Sequence, residues 1–317
     1  LDGSIACVDL APDIREVVDF PGFDRYHRVI FQGTPAKPRP AFVRSLSSLA
    51  SPVQPGADYD PAELELIDLA LRRSGLDPSC YRLPPLIRRV AACLRALRVE
   101  TVEQAAELVA GSADKASTAI NSLLIGATGF FRDPRVFAEL ESLVIPRLLK
   151  KSPHPRVWSA ACSTGAELYS VGMLLEERGS LAPGQLCGTD CRESCVRSGL
   201  RGVYHGTGMD GVSHSRIARH FTEHAGLFEV RPEIRAAASW GIDDLNRNEE
   251  PTARKTFHDL ILCRNVAIYL DPAAVQQLWR RLAAALAPGG FLIVGKAEKI
   301  NLPQFRRIAP CIYALSE

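Results

Sequence analysis

Residues able to do chemistry cluster at the ends of three predicted strands. In the first, Arg156-Val-Trp-Ser-Ala-Ala-Cys-Ser-Thr-Gly165 continues as Ala166-Glu167, a buried strand, a loop of small residues and a helix start. Such a corner lets backbone approach a ligand closely, with helix N–H groups aimed at it. The next strand, Gln185–Asp190, ends in an acid. A carboxylate at that tip can accept hydrogen bonds from both hydroxyls of a ribose, so the two segments suggest a nucleoside-bearing cofactor. The loop lacks G-x-G-x-x-G, which disfavours a pyrophosphate ligand, and a purely structural corner is the competing reading. A third strand, His258–Cys263, runs into Asn265, Val266 and Tyr269. Ligands of open α/β sheets sit beyond the carboxyl ends of the strands, so Asn265 and Tyr269 share a rim with Gly165 and Asp190. Arg132, just before a helix beginning near Pro134, can reach into the same cleft. Its structural alternatives are capping that helix or pairing with Asp133; the alternative for Tyr269 is a place in the core.

These side chains need a scaffold. Strands near 156, 185, 258 and 291 alternate with helices, which predicts a mostly parallel sheet with helices on both faces. Pro272 opens a long helix to about Ala287, Pro288-Gly-Gly290 turns it into the strand Phe291–Gly295, and Arg307–Leu315 closes the sheet antiparallel. Between the second and third strands, His220–Val230 predicts a hairpin with Ala225-Gly226 at its turn.

Upstream, Asp60-Pro-Ala-Glu63 is an N-cap with proline at the first helical position, and Gly75 ends that helix. A second helix spans Pro85–Arg98, with Leu86, Val90, Leu94 and Leu97 apolar and Arg88, Arg89, Arg95 and Arg98 basic. That basic face is either solvated or a docking surface for an acidic partner. Thr101-Val-Glu-Gln104 opens a third helix, and a fourth lies near Asp114–Ile125, making a small all-helical domain. Residues 33–58, with Pro35, Pro38, Pro40, Pro52, Pro55 and a serine cluster, read as linker.

The chain has 317 residues, 46% hydrophobic and 23% charged, with a formal net charge of +2. That is an ordinary globular composition with room for about two domains. The balance gives no argument for nucleic acid or membrane insertion. Nine cysteines without framework spacing point to reduced thiols in a cytoplasm. Cys187, Cys191 and Cys195 lack an obvious fourth ligand, so no metal site is expected.

Four motifs occur in order: Thr128-Gly-Phe-Phe-Arg132-Asp-Pro134; Arg156–Ser170; Cys263-Arg-Asn265-Val-Ala-Ile-Tyr269-Leu-Asp271; and Leu286-Ala-Pro-Gly-Gly-Phe-Leu-Ile-Val-Gly295 through Glu298. Together they resemble the chemotaxis receptor methyltransferase (CheR) family over residues 60–317. Residues 1–32 resemble the C-terminal end of a STAS domain, with a simple β-α extension as the alternative. The resemblance implies an α/β fold, a class I S-adenosylmethionine (SAM) methyltransferase sheet of Rossmann-like type. It implies a helical domain at 59–132 and a methyltransferase domain at 133–317, with a small inserted β-subdomain at about 203–240. The implied activity is methyl transfer to glutamate side chains of a chemoreceptor-like protein, with S-adenosylhomocysteine (SAH) as product. The implied cofactor contacts are Thr128, Arg132, Ala161, Gly165, Glu167, Asp190, Asp244, Leu245, Asn265 and Val266. Arg132 and Tyr269 match residues around the methyl-accepting group, and Arg88, Arg89 and Arg95 fall on the docking helix.

The chemistry suits this inventory. A sulfonium methyl is already activated and a glutamate is already an anion near neutral pH, so no strong base is required. The site must hold a carboxylate oxygen in line with the methyl carbon and exclude water. Arginine supplies bidentate carboxylate recognition, and a tyrosine hydroxyl can orient one oxygen. Departures from the family pattern are Ala166 for an acid, Gly126 for an asparagine, Ala92-Cys93 for paired arginines and Lys296 for a histidine. They leave open a methyltransferase with another substrate, or a SAM- or SAH-binding regulatory module without turnover.

Overall fold

The computed structural model describes residues 59–124, 128–247 and 257–316. The STAS-like segment, the proline-rich linker and Gly126 lie outside the described residues.

The described residues open with five α-helices. α1 (Pro61–Arg73) starts where Asp60 Oδ1 accepts the Ala62 N–H at 2.9 Å. α2 (Leu83–Ile87) and α3 (Val90–Leu97) replace the single helix expected over Pro85–Arg98. The break falls at Arg88–Arg89, where Arg89 has φ −104°, ψ −8° and its Nε donates to the Ser122 carbonyl at 3.1 Å. That bond anchors Arg89 to α5 (Ala113–Leu123), leaving Arg88 and Arg95 exposed. α4 (Val102–Gly111) opens with the reciprocal Thr101–Gln104 capping box. The apolar faces of these helices meet in a core containing Leu66, Ile67, Leu86, Val109 and Leu123. The same core includes Trp158, Ile261 and Trp279, so the helices pack on one face of the main sheet.

α6 (Pro134–Glu139), a π turn (Leu140–Val144) and α7 (Ile145–Lys151) lead into β1 (Val157–Ala160). Then follow α8 (Ala166–Glu176), β2 (Leu186–Asp190) and α9 (Glu193–Arg201). β3 (Val203–His205), α10 (His214–His220), β4 (Phe221–His224), β5 (Leu227–Val230) and α11 (Pro232–Ala236) come next. β6 (Ala238–Ile242), β7 (His258–Cys263), α12 (Pro272–Ala285), β8 (Leu286–Val294), β9 (Phe305–Ala309) and β10 (Ile312–Leu315) complete the chain.

The main sheet has the order β6-β2-β1-β7-β8-β10-β9. β6 to β8 are parallel, and β10 and β9 are antiparallel. β1 lies inside the sheet between β2 and β7 and is buried on both faces, with Trp158 in the core under the helical unit and Val157 in the opposite one. That position explains its run of small and apolar residues.

Two expectations need correction. The closing strand is a hairpin, β9–β10, because Pro310 and Cys311 turn the chain between two short strands. The inserted sheet, β3-β5-β4, ends at Val230, and residues 238–242 return to the main sheet beside β2. β6 was not recognised because its polar and small residues, Ala-Ser-Trp-Gly-Ile, lack an apolar alternation. Ala225 (φ 50°) and Gly226 (φ 77°) make the expected turn between β4 and β5. The small sheet is held to the body through α10: Arg216 Nε and Nη2 both reach Glu177 at 2.8 Å, and buried His220 meets Glu177 at 3.0 Å.

Candidate active site

The cleft lies where β1, β2 and β7 end. After Ala160 the chain turns through Ala161 (φ 60°), Ser163 (φ 51°) and Gly165 (φ 86°) before α8 begins. The left-handed turns at Ala161 and Ser163 are tolerable because their side chains are small, and they turn the Ser163 N–H onto Asp190 Oδ2 at 2.8 Å.

Thr128, Arg132, Ala161, Glu167, Asp190, Asp244, Leu245, Asn265, Val266 and Tyr269 all line this one cleft. Gly165 is not among the lining residues. A Cβ on Gly165 would overlap the Trp240 indole, as it would on Gly188 and Gly199. Glycine at 165 therefore makes room for a tryptophan from β6, and the close backbone approach occurs at Ala161–Ser163 instead. The arginines expected to dock a partner lie elsewhere: none of Arg88, Arg89 and Arg95 lines the cleft, and Arg89 is committed to Ser122.

Buried Arg264 organises one end of the cleft. Its Nη1 donates to Glu167 Oε2 at 2.9 Å, and its Nη2 to Asp133 Oδ2 at 2.6 Å and the Arg132 carbonyl at 3.1 Å. Glu167 also accepts from Ser159 Oγ at 3.1 Å. Asp133 takes Lys296 as its second cation. Burial opposes charge on Asp133, but Lys296 and Arg264 outweigh it and hold the carboxyl below its ordinary value. The Arg132 backbone is thus tied down beside its own side chain, which faces the cleft.

The adjoining segment of the cleft wall rests on Glu298. This carboxylate, 4% exposed, accepts the N–H groups of Gly295 (2.5 Å), Asn265 (2.9 Å), Val266 (2.8 Å) and Ala267 (2.7 Å). It holds Asn265 at φ 62° and starts the short turn Ala267–Tyr269. Tyr269 is joined to the helical unit: its carbonyl accepts the Arg82 N–H at 2.8 Å, and Tyr81 bridges Leu270.

Sequence reasoning missed several lining residues, among them Tyr81, Leu124, Cys162, Ser163, Cys191, Arg192, Asp243 and Arg264. Arg264 stands inside the Cys-Arg-Asn motif and was legible there. Tyr81 carries no local signal, because only the tertiary bridge brings it in. Burial raises Cys162 and Cys191 well above the ordinary thiol value, so both line the cleft as neutral thiols and offer no nucleophile.

The cleft suits an adenosyl sulfonium ligand by its donor set. Glu167, Asp190, Asp243 and Asp244 supply acceptors and negative charge for hydroxyl, ammonium and sulfonium groups, and Leu245, Val266 and Leu270 supply apolar surface for a base.

Residues 126–312 match the profile described as CheR methyltransferase, SAM binding domain. A chemotaxis protein methyltransferase of Listeria monocytogenes is 30% identical over 247 residues, covering 78% of this chain and 93% of that protein. The chemotaxis protein methyltransferase 1 of Pseudomonas aeruginosa is 32% identical over 203 residues, 61% of this chain and 73% of that protein. An uncharacterized 104.1 kDa protein of Rhodobacter capsulatus is 29% identical over 253 residues, 76% of this chain but 26% of that protein.

Proposed function

The chain belongs to the CheR methyltransferase family, and from that premise we propose that it methylates glutamate side chains of a chemoreceptor-like protein through Arg132 and Tyr269. It is a SAM-dependent methyltransferase. The observation that carries the finer reading is convergence: Arg132, Asp190 and the pair Asn265 and Tyr269, from three separate segments, line one cleft at the carboxyl ends of the strands.

When bound, the cofactor supplies an activated methyl group. Asp190 is the residue to receive the ribose hydroxyls, Glu167 the ammonium, and Leu245 with Val266 the base. Arg132 binds the incoming glutamate carboxylate as a fork, fixing its plane and excluding water from the oxygens. Tyr269 orients the attacking oxygen. No side chain has to remove a proton, because the acceptor is already ionised. Arg264 keeps Glu167 and the Arg132 backbone at a fixed separation.

The departures at Ala166 and Lys296 do not strip the cleft. Ala166, where a second acid was expected, is 2% exposed in the core under α8, whereas Glu167 lines the cleft. Lys296 is occupied as a partner of Asp133. Both observations favour turnover over a silent binding module. Exposed Arg88 and Arg95 offer a basic face to an acidic receptor segment. Among the described residues no helix is long and apolar enough to cross a membrane, and we assign the enzyme to the cytoplasmic side of such receptors.

The test is transfer of labelled methyl to purified receptor fragments, with Arg132→Ala as control. Base-labile label on glutamate that the variant fails to deliver is the expected result. Absence of label on any acidic protein would overturn the reading.

A further inference from the structure

Asp190 is nearly buried, at 2% exposure, and already carries a full set of donors. Its Oδ1 accepts the Arg192 backbone N–H at 3.0 Å and Arg192 Nε at 2.9 Å. Its Oδ2 accepts the Ser163 N–H at 2.8 Å and Arg192 Nη2 at 3.2 Å. An ionised carboxylate offers about four lone-pair sites, so none is left for a ribose.

Cys191 Sγ adds a long contact to Oδ1 at 3.9 Å, and the four nitrogen donors are not equally removable. The two backbone N–H groups belong to the turns that end β1 and β2, and moving them would undo the corner. The other two sit on one side chain with rotatable bonds. Arg192 also stands at the N-cap of α9, where a short acceptor side chain would normally satisfy helix N–H groups; it makes no capping bond and folds back onto Asp190 instead. Its remaining nitrogen, Nη1, donates at 2.9 Å to the Leu124 carbonyl at the end of α5. The guanidinium, 9% exposed on its side chain, is itself part of the cleft wall.

We propose that Arg192 is a resident competitor for the ribose subsite, so that cofactor binding exchanges its guanidinium for the two ribose hydroxyls and releases the end of α5. The inference rests on the assignment of Asp190 to the ribose. It makes Arg192 a specificity-determining residue: only a ligand offering paired hydroxyl donors restores to Asp190 what the exchange removes. Truncating Arg192 leaves Asp190 without its side-chain partner only in the free protein, so binding becomes tighter.

Calorimetric titration with SAH on the full chain, Arg192→Ala and Asp190→Ala tests this. Arg192→Ala should bind about tenfold tighter or better, and Asp190→Ala much more weakly. Arg192→Lys keeps the charge but loses the fork, and should fall between Arg192→Ala and the parent. If Arg192→Ala folds poorly alone, its melting temperature should rise more with saturating SAH than that of the parent. Unchanged or weaker binding by Arg192→Ala, with Asp190→Ala impaired, overturns the exchange while sparing the ribose assignment. Unimpaired binding by Asp190→Ala overturns both.

Discussion

In the proposed reaction Arg132 carries the most exposed demand of the chemistry, since a glutamate oxygen must be aligned with a methyl carbon and held there. Arg132→Ala should lower transfer by about 10²-fold or more, and Arg132→Lys should recover little of it, because one ammonium cannot fix a carboxylate plane. Rates of labelled methyl transfer at saturating SAM check both. Asp133, next to it, gives a pH prediction. Burial works against its ionisation, but Lys296 and Arg264 depress its folded value. Its contribution to stability is therefore present above the unfolded carboxyl range, near 3.9, and disappears as pH falls through the folded value. Asp133→Asn should be less stable than the parent at pH 6 in urea titrations, and the gap should narrow as pH falls below the unfolded carboxyl range and close only below the depressed folded value. At this scale the sequence was readable where motif residues stand at strand ends, as with Glu167, Asp190 and Asn265. It was unreadable where a residue changes its apparent job. Gly165 looked like a ligand-side glycine and serves Trp240, and Lys296 looked like a loss and neutralises Asp133.

Between residue and fold stand two devices that shape whole elements. Glu298 gathers four backbone N–H groups into one buried carboxylate and so sets the turn that presents Asn265 and Tyr269. Glu298→Gln puts an amide NH₂ among donors; it should cost about 2–4 kcal/mol in chemical denaturation and reduce SAH affinity in parallel. The second device is the slot of Gly165, Gly188 and Gly199 that admits Trp240. Gly199→Ala should destabilise by about 1–3 kcal/mol through overpacking, and pairing it with Trp240→Leu should recover part of that in the same denaturation assay. Elements with strong local signals were legible: α12 from Asp271-Pro272, the Thr101 capping box, and β1 and β7 from their apolar runs. β6 was not, because its register comes from pairing with β2 and from the slot rather than from any pattern of its own.

As a whole, the molecule joins a helical unit with an exposed basic face to a sheet whose rim carries the candidate cleft. If Arg88 and Arg95 dock the substrate, the double change to Glu should raise the KM for receptor fragments severalfold while SAH affinity measured by calorimetry stays as in the parent. The alternation of strands and helices made the parallel sheet legible, but nothing local told how the helices sit on it, since that depends on a shared core of distant residues such as Leu123 and Trp158. The seam between the two parts includes backbone bonds: Arg82 N–H to the Tyr269 carbonyl at 2.8 Å, and Asp271 N–H to the Cys80 carbonyl at 3.0 Å. Those two amides flank the tyrosine assigned to the methyl acceptor, and each is closed by a partner from the other part of the chain. Deuterium should therefore enter both at one common rate, whenever the parts separate, so that the pair acts as a clock for every excursion in which the enzyme loosens its grip on Tyr269.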